Sequence, residues 1–345
     1  MAKSKKVLIA GHQRATLKEV AKLAGVSTSA VSRTFTPGAS VSAETREKVL
    51  AATRLIGYQP NALARSLMTK RTELIGLVAN NFDNPVFMEI FDLFTRRLQA
   101  SGRRPLLANL SGGASTEAAL EMLLQYSVDG VIVASSTLPQ QFVGACAEAH
   151  LPVVHVFGRP AAGGKAPIHV VSPDNVQGGR LAGDELCKRG YRRIAFLGGP
   201  QTATSTEDRL GGLTESLRKH KLKPRTVIFA HSYSHEAGLI LTRQLLRNGG
   251  IDAVFCGDDN LAMGAIDACR EAHVTVPGDM GIIGFNDMAI AAWPGYNLST
   301  IHQPTADIIT AAVELVLRII EHPVKKPVVR LFDCRAVMRG TLRSL

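Results

Sequence analysis

Ser27-Thr28-Ser29-Ala30-Val31-Ser32-Arg33 is the first stretch whose residue types and spacing carry chemistry. It is a cluster of small hydroxyls closed by one arginine. Hydroxyls meet either donor or acceptor edges of a base, and a guanidinium forks onto guanine. The charge around this run is strongly basic. Residues 1–72 hold 13 Lys/Arg against Glu19, Glu44 and Glu47, a charge of +10. Residues 73–345 hold 27 basic and 26 acidic side chains, so they contribute +1 of the total +11. Such asymmetry points to a separate module that meets a polyanion.

Other chemistries find little support. There is no G-x-x-x-x-G-K-[ST] loop, no G-x-G-x-x-G after a strand and no H-E-x-x-H pair. Gly198-Gly199-Pro200 lacks phosphate-loop spacing. Cys146, Cys187, Cys256, Cys269 and Cys334 are odd in number and have no zinc or redox spacing. They read as inert thiols of a reducing compartment. No catalytic residue, metal or cofactor is expected. The 345 residues, 46% hydrophobic and 20% charged, suit a folded protein of two or three domains. No apolar run approaches the ~20 residues of a membrane span. Val7–Ala10 is too short for a signal-peptide core. The expectation is a cytoplasmic, nucleoid-associated protein without a membrane partner.

Short helices must position the first cluster. Thr16-Leu17-Lys18-Glu19 has the form of a capping box. Leu17, Val20, Ala21 and Ala24 follow at helical spacing. Gly25 breaks this helix, and Ser27 caps a second one with Ala30, Val31 and Phe35 on one face. Ser42 caps a third, which Gly57 closes. A glycine between two short capped helices is the helix-turn-helix arrangement, with Thr28, Ser29, Ser32 and Arg33 on its unpacked side.

From Leu74 the pattern changes to apolar strands alternating with helices. Ten strands are expected: Leu74–Ala79, Pro105–Leu110, Gly130–Ala134, Val153–Phe157, His169–Ser172, Arg193–Gly198, Val227–Ala230, Ala253–Cys256, Gly281–Phe285 and Ser299–His302. Alternation of this kind means parallel, doubly wound sheets. Ten strands fit two α/β lobes with a cleft between them better than one sheet. The first crossover is expected near Asp174.

At this point a resemblance is plain. Ala15-Thr16-Leu17-Lys18-Glu19-Val20-Ala21, Ala24-Gly25-Val26-Ser27 and Val31-Ser32-Arg33 resemble the lactose/galactose-repressor family of bacterial transcription regulators. So do Val41-Ser42-Ala43-Glu44-Thr45-Arg46-Glu47-Lys48-Val49 and Gly57-Tyr58-Gln59-Pro60-Asn61. The likeness continues through Leu74-Ile75-Gly76-Leu77-Val78, Val128-Asp129-Gly130-Val131, Gly190-Tyr191-Arg192-Arg193-Ile194, Ala253-Val254-Phe255-Cys256 and Ile283-Gly284-Phe285. It implies an all-α helix-turn-helix headpiece (15–59), a hinge helix and linker (60–73), and a periplasmic-binding-protein-like α/β body (74–345). The basic residues 1–14 are an extension expected to be disordered.

The resemblance also implies roles. Thr28, Ser29 and Arg33 fall where family members read the major groove. Thr16, Ser27, Ser42, Thr45 and Asn61 fall at caps or phosphate contacts. Asn61–Leu67 resembles a hinge helix that folds on DNA. Ala64 matches the small residue at which two such helices meet, and Leu67 the leucine that wedges a minor-groove step. Phe35-Thr36-Pro37-Gly38 departs from the Asn-containing turn of many members. A homodimer on a pseudo-palindromic double-stranded operator is expected, because two half-sites require it.

The body resembles sugar-binding proteins whose lobes close on a ligand at the carboxyl ends of strands. Candidates in the first lobe are Asn80–Phe87 with Phe87 beside a ring, Ser135-Ser136, and Asp174 at the crossover. In the second lobe they are Arg209, Tyr233, Asp258-Asp259 and Asn286-Asp287. Arg209 matches the arginine that forks onto effector oxygens. Asp258 stands where many members have Asn, and Asp259 is an equal candidate for the cap of the next helix. Asn286 stands where many members have Asp. Losing that charge removes a repulsion against an anionic ligand, so a sugar or sugar acid is the expected effector. A transport binding protein and a kinase or dehydrogenase are the competing readings. The basic module argues against the first and the missing motifs against the second. A repressor whose operator affinity is set by the effector, each ligand altering the other's binding, is the reading that remains.

Overall fold

In the computed structural model, residues 15–36, 38–60, 66, 69–135, 140–159, 168–324 and 326–345 are described. The chain divides into two compact units between Thr72 and Glu73. The expected extension 1–14, Pro37, Asn61, Ala64, Leu67 and Ser136 lie outside the described residues.

The first unit holds three helices: α1 (Leu17–Ala24), α2 (Thr28–Thr34) and α3 (Ala43–Ile56). The capping box of α1 is complete. The Glu19 N–H donates to Thr16 Oγ1 at 3.3 Å, and the Thr16 N–H donates to Glu19 Oε2 at 2.7 Å. Gly25 ends α1 at φ 65°, a left-handed conformation that costs a residue without Cβ little. Ser27 Oγ accepts the Ala30 N–H at 3.2 Å, and Ser42 Oγ accepts the Thr45 N–H at 3.2 Å. Val20, Val31 and Val49, one from each helix, are fully buried with Ala21, Ala52 and Tyr58. Each buried valine contributes about 1.5–3 kcal/mol. Phe35 is the residue after α2, and its ring lies 6.0 Å from that of Tyr58.

The second unit contains two six-stranded sheets. Lobe 1 is built on β1 (Leu74–Ala79), β2 (Arg104–Asn109), β3 (Gly130–Ala134), β4 (Val153–Val156) and β5 (His169–Pro173). Its helices are α4 (Val86–Ala100), α5 (Thr116–Gln125) and α6 (Gln140–Glu148). The chain then crosses through Asp174 into α7 (Asn175–Lys188) of lobe 2. There follow β6 (Ile194–Gly198), α8 (Thr204–Lys219), β7 (Thr226–Phe229), α9 (His235–Asn248), β8 (Ala253–Cys256), α10 (Asp259–Glu271), β9 (Gly281–Asn286) and β10 (Ser299–His302). α11 (Thr305–Glu321) returns to lobe 1, where Ile308, Ala312 and Val316 join the core of Ile75, Phe94 and Val154.

The ten expected strands are present, each within a residue at either end. Two more close the sheets. β11 (Val329–Phe332) pairs parallel with β5, and β12 (Arg335–Val337) pairs antiparallel with β10. The strand orders are β11-β5-β4-β3-β1-β2 and β12-β10-β9-β8-β6-β7. The chain thus crosses between lobes three times: at Asp174, at Gln303-Pro304 and at Asp333-Cys334.

Glycines set how closely α8 lies on α7. A Cβ on Gly179 would overlap the Arg209 carbonyl, and one on Gly212 would overlap the Val176 carbonyl. This backbone-to-backbone approach fixes the depth of Arg209 in the molecule.

Candidate functional site

The headpiece sorts its second helix into two faces. Val31 and Thr34 are buried, Ser32 is half-buried, and Thr28, Ser29 and Arg33 are exposed. Ser27 Oγ lies 2.9 Å from Ser29 Oγ, and Arg33 Nε donates to the Ser29 carbonyl at 3.4 Å. The Arg33 side chain therefore lies along one exposed strip with the hydroxyls of Ser29 and Thr28. The cap hydroxyls of Thr16, Ser27 and Ser42 each satisfy one N–H of their own helix. Helix N-termini leave further N–H groups, which suit phosphate oxygens. Thr45 Oγ1 accepts from Ser42 Oγ at 2.8 Å, which holds it at the start of α3.

In the second unit, the carboxyl ends of both sheets face a narrow cleft. Phe87, Ser135 and Phe157 line it from lobe 1, and Arg209, Tyr233, Asp258 and Asn286 from lobe 2. Phe157 and Asn286 have φ of 69° and 118°, conformations that non-glycine residues adopt at a cost. Strain of this kind concentrates at functional sites.

Asp258 is the centre of the polar wall. Its Oδ1 accepts the Asn260 N–H at 2.7 Å, capping α10. Its Oδ2 accepts from Asn286 Nδ2 at 2.7 Å and from Asn84 Nδ2 at 2.9 Å. Asn84 follows β1, so this last bond joins the two lobes. Burial pushes the Asp258 carboxyl up to about 6, against the pull of these three donors. Asn286 Oδ1 accepts in turn from Gln303 Nε2 at 3.0 Å.

Arg209 is 5% exposed and, among the described residues, makes no hydrogen bond to a carboxylate. Its Nε donates to Asn175 Oδ1 at 2.8 Å, its Nη1 donates to the Gly257 carbonyl, and its guanidinium lies 3.6 Å above the centre of the Phe285 ring. Burial pulls its pKa below the ordinary arginine value. Tyr233 hydrogen-bonds through its hydroxyl with Thr206 Oγ1 at 2.7 Å and Ser205 Oγ at 3.2 Å. Ser135 Oγ donates to Asn80 Oδ1 at 2.6 Å. Its carbonyl accepts from His155 Nε2 at 2.5 Å, and burial pulls that imidazole's pKa below its ordinary value.

Two expectations need correction. Asp258, not Asp259, caps α10. Asp259 is the first helical residue and points into the protein, where it accepts from Thr300 Oγ1 at 2.5 Å and from the Met288 N–H at 2.8 Å. Asp174 lies outside the cleft lining. It caps α7 by accepting the Gln177 N–H at 2.8 Å, and it borders a separate cavity with Arg159 and Asp208. Phe87 does double duty, packed in the lobe 1 core and lining the cleft. Asn81 and Asn84, from the expected segment Asn80–Phe87, line the cleft, whereas Phe157, Ser205 and Gln303 also line it but were not singled out from sequence. Phe157 and Gln303 follow β4 and β10, so the strand-end rule reaches them.

A second tie joins the lobes beside Arg209. Arg159 follows β4, and its Nε donates to Asp208 Oδ1 at 2.9 Å while its Nη2 donates to Glu207 Oε2 at 2.7 Å. Its backbone N–H donates to Thr204 Oγ1 at 3.1 Å. All three acceptors belong to α8.

A basic helix-turn-helix unit followed by two α/β lobes around a polar cleft defines a ligand-controlled DNA-binding regulator. Residues 16–61 match the model of the bacterial regulatory proteins of the lacI family, and residues 184–342 match that of a periplasmic binding protein-like domain. The HTH-type transcriptional repressor PurR of Escherichia coli O1:K1 / APEC is 33% identical over 340 residues, 96% of this chain and 99% of that protein. The Lac repressor dimer bound to operator and the anti-inducer ONPF superposes with a TM-score of 0.85 at 27% identity, over 95% of this chain and 99% of that one. The complex of the regulator CelR with cellobiose gives 0.73 at 28% identity, over 95% and 100%. The chain belongs to the lacI family. It is a DNA-binding transcriptional repressor controlled by a small-molecule effector, and not an enzyme. No helix among the described residues is long and apolar enough to cross a membrane.

Proposed function

We propose that the effector is a sugar or sugar acid bound between the lobes, and that a homodimer reads a pseudo-palindromic operator. The observation that carries the effector class is the convergence of Arg209, Asp258 and Asn286 on one cleft with an aromatic side at Phe87. Charged and amide groups around an apolar ring face suit a polyhydroxylated ring. The cellobiose bound by CelR and the ONPG bound by the Lac repressor support this class. Arg209 suits an acidic group, because its own bonds are to neutral oxygens and Asn286 adds no negative charge.

In the headpiece, Thr28, Ser29, Ser32 and Arg33 read bases, while Thr16, Ser27, Ser42, Thr45 and Asn61 hold phosphates or caps. Ala64 and Leu67 serve at a paired hinge in the minor groove, on the strength of the sequence resemblance. The cell compartment is the cytoplasm, where the operator lies.

Calorimetry of the full chain against ribose, galactose, cellobiose, gluconate and galactonate tests the effector class. Binding of neutral sugars alone overturns the acid, and binding of none overturns the class. Leu67→Ala is expected to lower specific operator affinity far more than nonspecific binding; equal losses remove Leu67 from the wedge role.

A further inference from the structure

The near-neutral charge of the second unit hides a segregation. Residues 188–193, in the turn from α7 into β6, and residues 218–225, in the turn from α8 into β7, hold nine Lys/Arg and no acid. The rest of residues 73–345 hold 18 basic and 26 acidic side chains. The Arg225 N–H donates to the Ile194 carbonyl at 2.7 Å, so the two turns lie side by side at the amino ends of neighbouring strands. The carboxyl ends of those strands face the cleft. This basic face is therefore at the opposite end of lobe 2.

Little of that charge is used within the chain. Glu185 takes Lys188 at 3.0 Å and also takes Arg189. Asp252 lies 3.6 Å from Arg193 Nε, while its oxygens accept the Arg192 and Arg193 N–H groups at 3.1 and 2.8 Å. Among the described residues, Arg192, Arg218, Lys219, Lys221, Lys223 and Arg225 are exposed and meet no carboxylate. Like charges set side by side repel one another, and a bound polyanion offsets that repulsion. Neither stretch carries an exposed large apolar side chain, since Tyr191 is buried and Leu222 half-buried. Protein hot spots and membrane insertion rest on such anchors. A phosphate backbone is held by cations alone.

We propose that this end of lobe 2 is a second site for double-stranded DNA, separate from the headpiece and indifferent to sequence. Its lysines and arginines meet phosphates and not base edges, so binding there falls steeply with salt. The duplex it takes is a second segment, because the headpiece holds the first. One molecule thereby holds two segments of DNA at once.

The test is a bridging measurement on the full chain. The chain is bound to an immobilised duplex that it has itself selected from a random pool, and unbound chain is washed away. Capture of a fluorescent duplex of unrelated sequence is then titrated at several salt concentrations. The wild type is compared with the triple variant Lys219→Glu, Lys221→Glu and Lys223→Glu. The wild type is expected to capture the second duplex. The variant is expected to bind the selected duplex as before, to capture the second about tenfold or more weakly, and to lose about three from the salt slope. No capture by the wild type, or equal capture by the variant, overturns the site. If the variant also loses the selected duplex, the triple change Lys219→Gln, Lys221→Gln and Lys223→Gln decides. Reduced capture at full affinity for the selected duplex then supports the site, and any other result overturns it. Polyglutamate and phosphatidylglycerol vesicles are run in place of the second duplex. If one of them binds through these lysines and the second duplex does not, the face serves an acidic protein or a membrane, and the DNA assignment is overturned.

Discussion

Asn84 of lobe 1 donates from Nδ2 to Oδ2 of Asp258 in lobe 2 at 2.9 Å, a buried hydrogen bond across the cleft. It ties the loop after β1 to the cap of α10. Closing of the cleft is thereby coupled to the electrostatics of its only carboxylate wall among the lining residues.

Removing that donor shifts the titration of Asp258. A hydrogen bond to the charged form favours it, so Asn84→Ala is expected to raise the Asp258 midpoint above its present value of about 6. Carbon-13 NMR of aspartate-labelled protein reads the carboxyl directly. A midpoint unchanged or lowered contradicts the cross-lobe bond.

Arg159 predicts the second tie. Arg159→Ala removes both charged contacts to α8 and is expected to populate a more open cleft. All five native thiols are buried, so spin labels placed at Asp83→Cys and His231→Cys report the separation of the rims once the labelled chain is diluted with unlabelled chain. A longer distance population is expected in the variant, and Arg159→Asp with Asp208→Arg returns it to the short one. An unchanged distribution contradicts the tie.

Asp259 predicts a pH dependence of stability. Burial pushes its carboxyl up to about 8, against the lowering by Thr300 and Met288. An unfolded aspartate titrates near ~4. The folded state therefore keeps a proton that the unfolded state releases. The stability this contributes is full below about pH 4 and is lost as pH rises through 8. Asp258 acts in the same sense up to about 6. Asp259→Asn is expected to match the wild type in acid and to exceed its Tm above pH 8. Parallel melting curves contradict this placement.

Neighbouring glycines on α8 predict opposite outcomes. A Cβ on Gly212 overlaps the Val176 carbonyl, whereas one on Gly211 meets nothing within 4 Å. Gly212→Ala is expected to destabilise by about 1–3 kcal/mol through overpacking. Gly211→Ala gains helix propensity of up to ~1 kcal/mol. Chemical unfolding of both checks the contrast, and equal effects contradict the close α7–α8 approach.

Much of this was legible from the residues. The capping box at Thr16 and Glu19, the break at Gly25 and the hydroxyl cap at Ser27 are local signals, and each occurs where the pattern places it. The parallel strands show as apolar runs because both faces are buried. β11 and β12 escaped because they are edge strands of four and three residues. Val329 and Leu331 point outward there, at 61% and 59% exposure, so no run or alternation marks them. Two adjacent aspartates cannot be ranked from sequence as cap and core. The difference between Asp258 and Asp259 depends on Asn84, Asn286 and Thr300, which the fold alone brings near. Gln303 reads as a turn residue before proline, and only the fold brings its amide to Asn286 at the cleft.

The central claim is that a molecule held in the cleft by Arg209 governs DNA binding by the headpiece. The direct measurement is fluorescence anisotropy of a duplex selected by the full chain from a random pool. It is read with and without the panel compound that binds, for the wild type and Arg209→Ala. The expected result is an effector-dependent affinity change of tenfold or more in the wild type. Arg209→Ala should bind the duplex as the wild type does without effector, and should not respond. A variant that responds like the wild type contradicts the account.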